Sequence, residues 1–298
     1  MLKTAFIGNE NFFDHMICEW LSEHTDLSLI VWTNKLSWAG GTGIERKKKV
    51  LKRFINRARR RGSLRTLNEL LYYVIYRNFL QRKEVSQVLR AVNSTERHPQ
   101  RPLAEIEQVR PSNIKSSELQ HLIESLELDA IFAVCIDVYL PEKIINAPKH
   151  GAFLWHEGIT PEYRGVYSPF WALAKKDYDN LGYTLLKMNS KLDAGEVFVQ
   201  GKVENVDLKK DWHSYIGHKA IIDSLPQVKQ FLVQLERNQH QPLSRENAID
   251  GYYSYPTTSA LLKIVVSRLF GNQISPTFNH SSEHSGQRQY PDSSTDPS

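Results

Sequence analysis

The fold is decided by residues 151–200, which read GAFLWHEGITPEYRGVYSPFWALAKKDYDNLGYTLLKMNSKLDAGEVFVQ. The apolar run at the start of this stretch ends on His156, the pattern of a buried strand with one polar side chain at its open end. A second strand pattern covers 183–188, and Asp193 follows it in a turn that leads to a short strand over 196–200. Enzymes commonly place their chemistry on loops at strand ends. We therefore expect His156 and Asp193 to lie within side-chain reach of each other at one edge of a sheet.

Four short motifs follow one another through this stretch. They are Leu154-Trp-His156-Glu-Gly158-Ile-Thr-Pro161-Glu-Tyr163-Arg164-Gly165, then Ser168-Pro-Phe-Trp171-Ala172, Gly182-Tyr-Thr184 and Asp193-Ala-Gly195. In order and spacing they resemble the folate-dependent formyltransferase family, which includes methionyl-tRNA, glycinamide ribonucleotide and sugar N-formyltransferases. The first motif of the family begins N-x-H, so the position of its catalytic asparagine falls on Leu154. This departure puts the formyl-transfer reaction in question.

Length and composition are ordinary for a globular chain. It has 298 residues, of which 41% are apolar and 24% charged, enough for a sizeable core in one large domain or two small ones. Cys18 and Cys135 lie in separate apolar contexts, so we expect buried thiols in a reducing compartment, without disulfides or a metal site. The sequence contains no signal peptide and no apolar run of about 18 residues or more. A cytoplasmic protein is therefore expected.

Hydrophobic patterns alternate between short strands and helices along the chain. Residues 2–7 and 27–33 have strand patterns on either side of a helix pattern over 12–24, which predicts a β-α-β unit and a parallel sheet. The apolar run at 129–136 is typical of a central parallel strand. We therefore predict an α/β protein whose mostly parallel, Rossmann-like sheet carries flanking helices, which is also the fold that the resemblance implies.

Three regions are predicted along the chain. Residues 1–206 form a formyltransferase-like domain, in which 45–93 are a basic helical insertion. Residues 207–272 form a C-terminal helical segment, with one long helix over 212–235. The last residues, 273–298, are rich in Ser, His, Gln, Asp and Pro and are expected to be disordered.

The positive charge of the chain is concentrated in the insertion. Residues 45–90 hold 15 Lys and Arg against 3 Asp and Glu, a net charge of +12, whereas the rest of the chain sums to −7. Apolar residues recur at helical spacing on both sides of Arg59-Arg-Arg61-Gly62, which predicts a helical hairpin outside the sheet. Its positive face is either solvated or a surface for anionic partners, such as substrate phosphates or a membrane. Specific nucleic-acid binding is disfavoured because no recognition motif is present.

The resemblance implies a role for each residue that matches a family motif. Formyl transfer to an amine needs a proton carrier, a carboxylate and a hydrogen-bond donor for the oxyanion. His156 would carry the proton, and Asp193 would orient the imidazole or take the amine proton. Arg164 would contact an anionic acceptor or form a structural ion pair. The formyl donor would be 10-formyltetrahydrofolate, and the motifs place its pocket at Tyr139, Leu140, Gly158, Thr160, Asp177 and Asp179.

Three functions remain open from the sequence. The first is a formyltransferase acting on a primary amine, preferably of an amino-sugar nucleotide or another phosphorylated small molecule, since no barrel pattern for tRNA follows the motifs. It requires that a water, Thr160 or a backbone amide replace the donor missing at Leu154. The second is a non-catalytic folate- or sugar-binding relative. The third is a formyl-folate hydrolase, whose known relatives carry an N-terminal regulatory domain.

Overall fold

The computed structural model describes residues 1–33, 62–136, 138–191, 193–244 and 248–270, together with residues 48, 52, 55, 56, 58 and 59. The strands are β1 (Lys3–Gly8), β2 (Asp26–Trp32), β3 (Glu107–Val109), β4 (Ala130–Val134), β5 (Ala152–His156), β6 (Arg164–Gly165), β7 (Gly182–Lys187), β8 (Val197–Lys202) and β9 (Tyr252–Tyr253). The helices are α1 (Phe12–His24), α2 (Ser63–Ile75), α3 (Gln81–Ser94), α4 (Ser117–Ser125), α5 (Glu142–Ile145), α6 (Ser168–Lys175), α7 (His213–Asp223), α8 (Leu225–Glu236) and α9 (Thr258–Phe270). Most of the first arm of the predicted hairpin, and the tail predicted to be disordered at 273–298, lie outside the described residues.

Seven strands form one sheet in the order β3-β2-β1-β4-β5-β7-β8. The pairs from β3 to β5 are parallel, and β7 pairs antiparallel with both β5 and β8. The predicted mostly parallel α/β architecture with flanking helices is thereby confirmed. The strand order reverses at β1 and β4, and the carboxyl ends of β1, β4 and β5 meet at one edge of the sheet. Open α/β sheets bind their ligands at such an edge, which we call the site edge.

The central strand β5 is buried on both faces. Phe153 and Trp155 point to one face, where α1 and α8 pack, while Leu154 points to the other, where α4 and α5 pack. The Phe153 ring meets Phe231 of α8 edge-on, with ring centroids 5.1 Å apart. A strand covered on both faces has a near-continuous apolar sequence. The polar side chain of His156 is placed where this strand ends.

The prediction of a single helix over 212–235 is wrong, because α7 ends at Asp223 and α8 begins at Leu225. Pro226 lies in the first turn of α8, where its missing N–H removes no helical hydrogen bond, whereas a helix interior would not accept it. At the break, the Ser224 hydroxyl donates to a carbonyl of α7 and accepts from the Trp155 indole at 2.7 Å.

Residues 63–94 follow one helical course outside the sheet. α2 passes through a π-helical turn, Tyr76–Leu80, into α3. The inward face of this course carries Tyr72, Glu84 and Val88, each less than 5% exposed. The second arm of the predicted insertion is therefore helical. Of the helices described, none combines the length and hydrophobicity needed to cross a bilayer.

Candidate functional site

His156 is buried at the carboxyl end of β5 and holds the loop that follows it. Its Nε2 lies 2.8 Å from the carbonyl oxygen of Tyr163 and 3.1 Å from Oγ of Ser168. Because a carbonyl only accepts, Nε2 carries the hydrogen, and the Ser168 hydroxyl donates to the same carbonyl at 2.9 Å. The free lone pair of the neutral imidazole is therefore on Nδ1. Nδ1 is the atom that can take a proton.

The loop after His156 is shaped by the residues that the family motif contains. A side chain at Gly158 would place its Cβ 2.5 Å from Cβ of Ser168 and 3.0 Å from Nε2 of His156, so only glycine lets Ser168 approach the imidazole. The Thr184 hydroxyl donates to the Gly158 carbonyl at 2.7 Å and accepts from the Thr160 amide at 3.1 Å. Within the described part of the chain, the buried Thr160 hydroxyl has no hydrogen-bond partner. Its role as the donor missing at Leu154 remains a prediction.

Asp193 is buried and holds the far end of the same loop. One carboxylate oxygen accepts from the Gly165 amide at 2.8 Å. Gly165 has a φ of 99°, and a Cβ there would lie 2.1 Å from the carbonyl oxygen of Tyr253 on β9. Within the described part of the chain, no hydrogen bond joins the Asp193 carboxylate to the His156 imidazole. The two residues instead anchor opposite ends of the segment 163–168, and their direct coupling remains a prediction.

Two carboxyl groups that the sequence did not single out lie at the site edge. Asp14, in the first turn of α1, is 4% exposed and accepts from the Asn9 amide at 2.6 Å. Burial raises the pKa of Asp14 to about 7. Glu157 follows His156 directly, and burial together with repulsion from Glu84 raises its pKa to about 8. Both groups therefore exchange protons near neutral pH.

These groups form what we call the carboxyl cluster: Asp14, Glu157 and Asp193. All three carboxyl groups lie close enough to Cys135 to influence its thiol, and this residue follows β4 with a left-handed φ of 42°. The prediction that Cys135 is buried is wrong, since the residue is exposed, whereas Cys18 is buried as predicted. The crowding of protein around the thiol, reinforced by the charges of Glu157, Asp14 and Asp193, raises the Cys135 pKa well above its usual value. Carboxyl groups at this edge can hold a cation such as a protonated amine, by hydrogen bonds to their oxygens and by charge where they are ionised. Among the residues described, no three His, Cys, Asp or Glu side chains are grouped to hold a metal ion.

The raised pKa of Glu157 gives a testable dependence of stability on pH. The folded protein keeps this proton to about pH 8, whereas a glutamate in the unfolded chain releases it near pH 4.3. Between these values the folded state binds more protons, so the free energy of unfolding falls as the pH rises. We expect Glu157→Gln to lie close to wild type at pH 5 and to exceed it by about 4 kcal/mol at pH 9, since three pH units between 5 and 8 cost the wild type about 1.4 kcal/mol each.

Urea denaturation at pH 5, 7 and 9 measures this difference. Glu118→Gln is the matched control, since Glu118 is exposed on α4, and its difference from wild type should not change with pH in this range. A constant difference between Glu157→Gln and wild type at all three pH values would contradict the buried, protonated carboxyl.

An apolar cavity of about 40 Å³ opens beside Leu154 at the site edge. It is lined by Ile136, Val138, Tyr139, Leu140, Ile145, Leu154, Leu186, Met188, Asn189, Lys191 and Asp193. Apolar walls with polar groups at the mouth suit a flat heterocycle with a polar tail, so the lining fits a folate ring in its chemistry. Small-molecule cavities usually measure about 300–1,000 Å³, so a whole ring requires the mouth to open. Tyr139, one of the lining residues, is half-exposed, and its hydroxyl donates to the Ser190 carbonyl at 2.9 Å.

The cavity contains two of the six residues that the resemblance assigned to the folate pocket, Tyr139 and Leu140. Gly158 and Thr160 instead support the loop after His156. Asp177 accepts from the Tyr163 hydroxyl at 2.7 Å, and Asp179 pairs with Lys202 at 2.7 Å. For these four, a contact with folate remains a prediction.

Arg164 forms a bidentate ion pair, one of the two roles predicted for it; the other is contact with an anionic acceptor. Its guanidinium donates to both carboxylate oxygens of Asp250, each at 2.7 Å. The pair lies beside the short parallel ladder between β6 and β9. This ion pair ties Asp250 to Arg164, in the same loop whose residues Tyr163 and Gly165 bond to His156 and Asp193. A contact between Arg164 and an anionic acceptor remains a prediction.

The fold is Rossmann-like, with polar side chains collected at the site edge of its sheet. A family model described as formyl transferase matches residues 2–215. Because the match covers most of the sequence, the chain belongs to the formyl transferase family.

Individual relatives match the chain less completely. The methionyl-tRNA formyltransferase of Listeria innocua is 36% identical over 116 residues, which are 37% of this chain and 36% of that protein. The chain thus spans about a third of the length of such curated relatives. Glycinamide ribonucleotide transformylase 1 from Symbiobacterium toebii has a TM-score of 0.50 at 9% identity, covering 82% of this chain and 95% of that chain. A sugar N-formyltransferase from Shewanella has a TM-score of 0.48 at 13% identity, covering 85% and 76%.

Proposed function

We propose that this protein transfers a formyl group from 10-formyltetrahydrofolate to a primary amine of a small molecule. The observation that carries the proposal is the state of His156 at the end of β5. Its Nε2–H is bound by the Tyr163 carbonyl, its Nδ1 lone pair is left as a base, and Glu157 follows it. Membership of the formyl transferase family indicates the reaction.

The proton transfers of this reaction can be assigned to the chain's own groups. When bound, the folate supplies the formyl group as an acyl donor. An acceptor that arrives as an ammonium group loses two protons. One passes to water before the attack, and Nδ1 of His156 accepts the other as the new C–N bond forms. The Tyr163 carbonyl, which accepts from Nε2–H, fixes the tautomer that leaves Nδ1 for this proton. Glu157, with its pKa of about 8, carries a proton at neutral pH that it can give to the departing nitrogen.

The apolar cavity is the proposed position of the donor's ring. Tyr139, Leu140 and Leu154 would hold the ring between apolar walls. Lys191, at the mouth, would attract a carboxylate of the folate tail. The carboxyl cluster would draw the acceptor amine to the same edge, since an amine is protonated in water before it reacts.

An amino-sugar nucleotide is the acceptor class that we propose. Its ammonium group suits the carboxyl cluster, and its phosphates suit the excess of Lys and Arg in residues 45–90. An acceptor with both charges would thus meet complementary charge at each end. A phosphorylated amine without a sugar is the nearest alternative.

Two measurements test this function. Calorimetric titration with a stable folate analogue measures donor binding, and release of tetrahydrofolate measures turnover against a panel of amino-sugar nucleotides. We expect binding together with turnover that requires an acceptor. Turnover without acceptor would support the formyl-folate hydrolase instead. Binding without turnover for any acceptor would support a non-catalytic relative, the alternative that Leu154 favours.

Leu154→Asn separates the catalytic and non-catalytic alternatives. Leu154 is 7% exposed, and the two side chains have similar volumes, so packing changes little. If another group already stabilises the oxyanion, the new amide should change turnover less than about tenfold and destabilise the fold by about 1–3 kcal/mol. If the donor is missing, restoring it should raise turnover by about 10²–10³. We expect the smaller change, and initial rates for both proteins measure it; a rise of a hundredfold or more would contradict our expectation.

A further inference from the structure

A row of leucines lies on the exposed side of α2, where Leu64 and Leu67 also line an apolar cavity with Ile55 and Ala58. Leu64 is 85% exposed, and Leu67, Leu71 and Val74 are 42–61% exposed. Their spacing of three, four and three residues places them on one side of the helix. The buried residues of α2, among them Tyr72, lie on the opposite side. An apolar row of this kind on the outward side is unusual, because a surface helix normally presents polar groups there.

The neighbouring helix α9 has the same property. Its exposed residues include Leu262, Val266, Leu269 and Phe270, of which Leu269 and Phe270 are more than 70% exposed. The two helices lie side by side, since Asn68 of α2 bonds to both the amide and the hydroxyl of Ser259 at 3.2 Å. Both also pack on α6 in one apolar core. Their outward sides therefore adjoin, and with Phe79 of the π-helical turn they form what we call the docking face.

Charge on and around the docking face has one sign. The acidic residues of the helical course 63–94, Glu69 and Glu84, are turned inward and at most 4% exposed; α9 contains none. The exposed charged residues of these helices are all basic: Arg65, Arg77, Arg82, Lys83, Arg90 and Lys263. Lys48, Lys52 and Arg59, which are also exposed, precede α2. The helices that carry the docking face thus combine large exposed apolar side chains with exposed cations.

We propose that the docking face binds the surface of an anionic lipid bilayer. Leucine and phenylalanine side chains on one side of a helix, flanked by Lys and Arg, fit the boundary between acyl chains and negatively charged headgroups. A second copy of this chain is a poorer occupant, because face-to-face association would bring the two cationic rims together. Docking would be peripheral, since no described helix can span the bilayer. This inference does not depend on the proposed reaction.

Flotation of the full chain with lipid vesicles tests the proposal. We expect binding to vesicles of phosphatidylcholine with 30% phosphatidylserine, chosen as roughly the anionic content of a cytoplasmic leaflet. Vesicles of phosphatidylcholine alone should bind much more weakly. Raising NaCl from about 0.1 to 1 M, which shortens the screening length from about 10 to 3 Å, should release the protein. Wild type that fails to bind anionic vesicles at low salt would overturn the proposal.

Variants assign the binding to the docking face. Arg77→Gln, Arg82→Gln and Lys83→Gln together should weaken anionic-vesicle binding about a hundredfold, at roughly fivefold for each charge. Leu64→Ser, Leu67→Ser and Leu71→Ser together should weaken it at least about tenfold, from the loss of buried apolar area. The controls are Lys115→Gln and Ile249→Ser, exposed residues outside the helices that carry this face, and both should bind as wild type does. Triple variants that bind as wild type does would overturn the proposal.

Two further measurements keep the result interpretable. Circular dichroism and thermal unfolding establish that each variant is folded before its binding is compared. Light scattering without lipid measures the oligomeric state. A wild-type dimer that becomes monomeric in the leucine variant would identify a second copy as the occupant and overturn the lipid assignment.

Discussion

Replacement of His156 by alanine is expected to lower kcat/KM for formyl transfer by about 10²–10⁴, the range that a positioned general base contributes. The imidazole is 5% exposed, and its Nε2–H is bound by the Tyr163 carbonyl, so its Nδ1 atom has a fixed position for accepting the amine proton. Among the described histidines, only His156 belongs to β5. Initial rates at saturating folate, with folding checked by urea denaturation, measure the effect.

His156→Gln and His121→Ala are the controls for this prediction. A glutamine amide can still donate towards the Tyr163 carbonyl but cannot act as a base, so we expect this variant to be as inactive as alanine and closer to wild type in stability. His121 is 80% exposed on α4, and its loss should leave the rate unchanged. A His156→Gln protein with the wild-type rate would show that the imidazole only supports the loop.

The order of the elements could be predicted because its signals are local. Helix α1 begins after Asn11, whose side chain accepts from the amides of Phe13 and Asp14, and its predicted range, 12–24, agrees with the structure. The break between α7 and α8 also had a local signal in Pro226, which the continuing apolar spacing obscured. The antiparallel direction of β7 has no such signal, since its apolar residues would suit a parallel strand equally well. The direction is set by the path of the chain between His156 and β7.

The site could be predicted only where its residues lie in one stretch. His156 and Asp193 belong to motifs of fixed order, so the sequence identified them. Asp14 and Glu157 were missed because their properties arise from burial by distant elements. Glu157, for instance, lies against α7 so closely that a Cβ on Gly217 would be 2.3 Å from its carboxylate oxygen. No spacing in the sequence reports that contact.

Replacement of Asp193 by asparagine is expected to lower kcat/KM by about 10² or more with little loss of stability. Asparagine keeps an oxygen that can accept from the Gly165 amide, now at 2.8 Å, and it tolerates the left-handed φ of 48° better than most residues do. The variant therefore removes the charge and keeps the loop. The charge matters because it stabilises a protonated amine or imidazolium at the site edge, as the buried carboxylate of a catalytic triad does.

Asp193→Ala separates the charge from the hydrogen bond. It should be as slow as Asp193→Asn but also less stable, by about 1–3 kcal/mol, because the Gly165 amide loses its acceptor and alanine must adopt a left-handed φ. Asp26→Asn, at the amino end of β2 on the opposite edge of the sheet, should leave the rate unchanged. Rates and urea midpoints for the three variants decide the matter. An Asp193→Asn protein as active as wild type, beside a destabilised and slow alanine variant, would reduce Asp193 to a support of the loop and leave the proton transfers to His156 and Glu157.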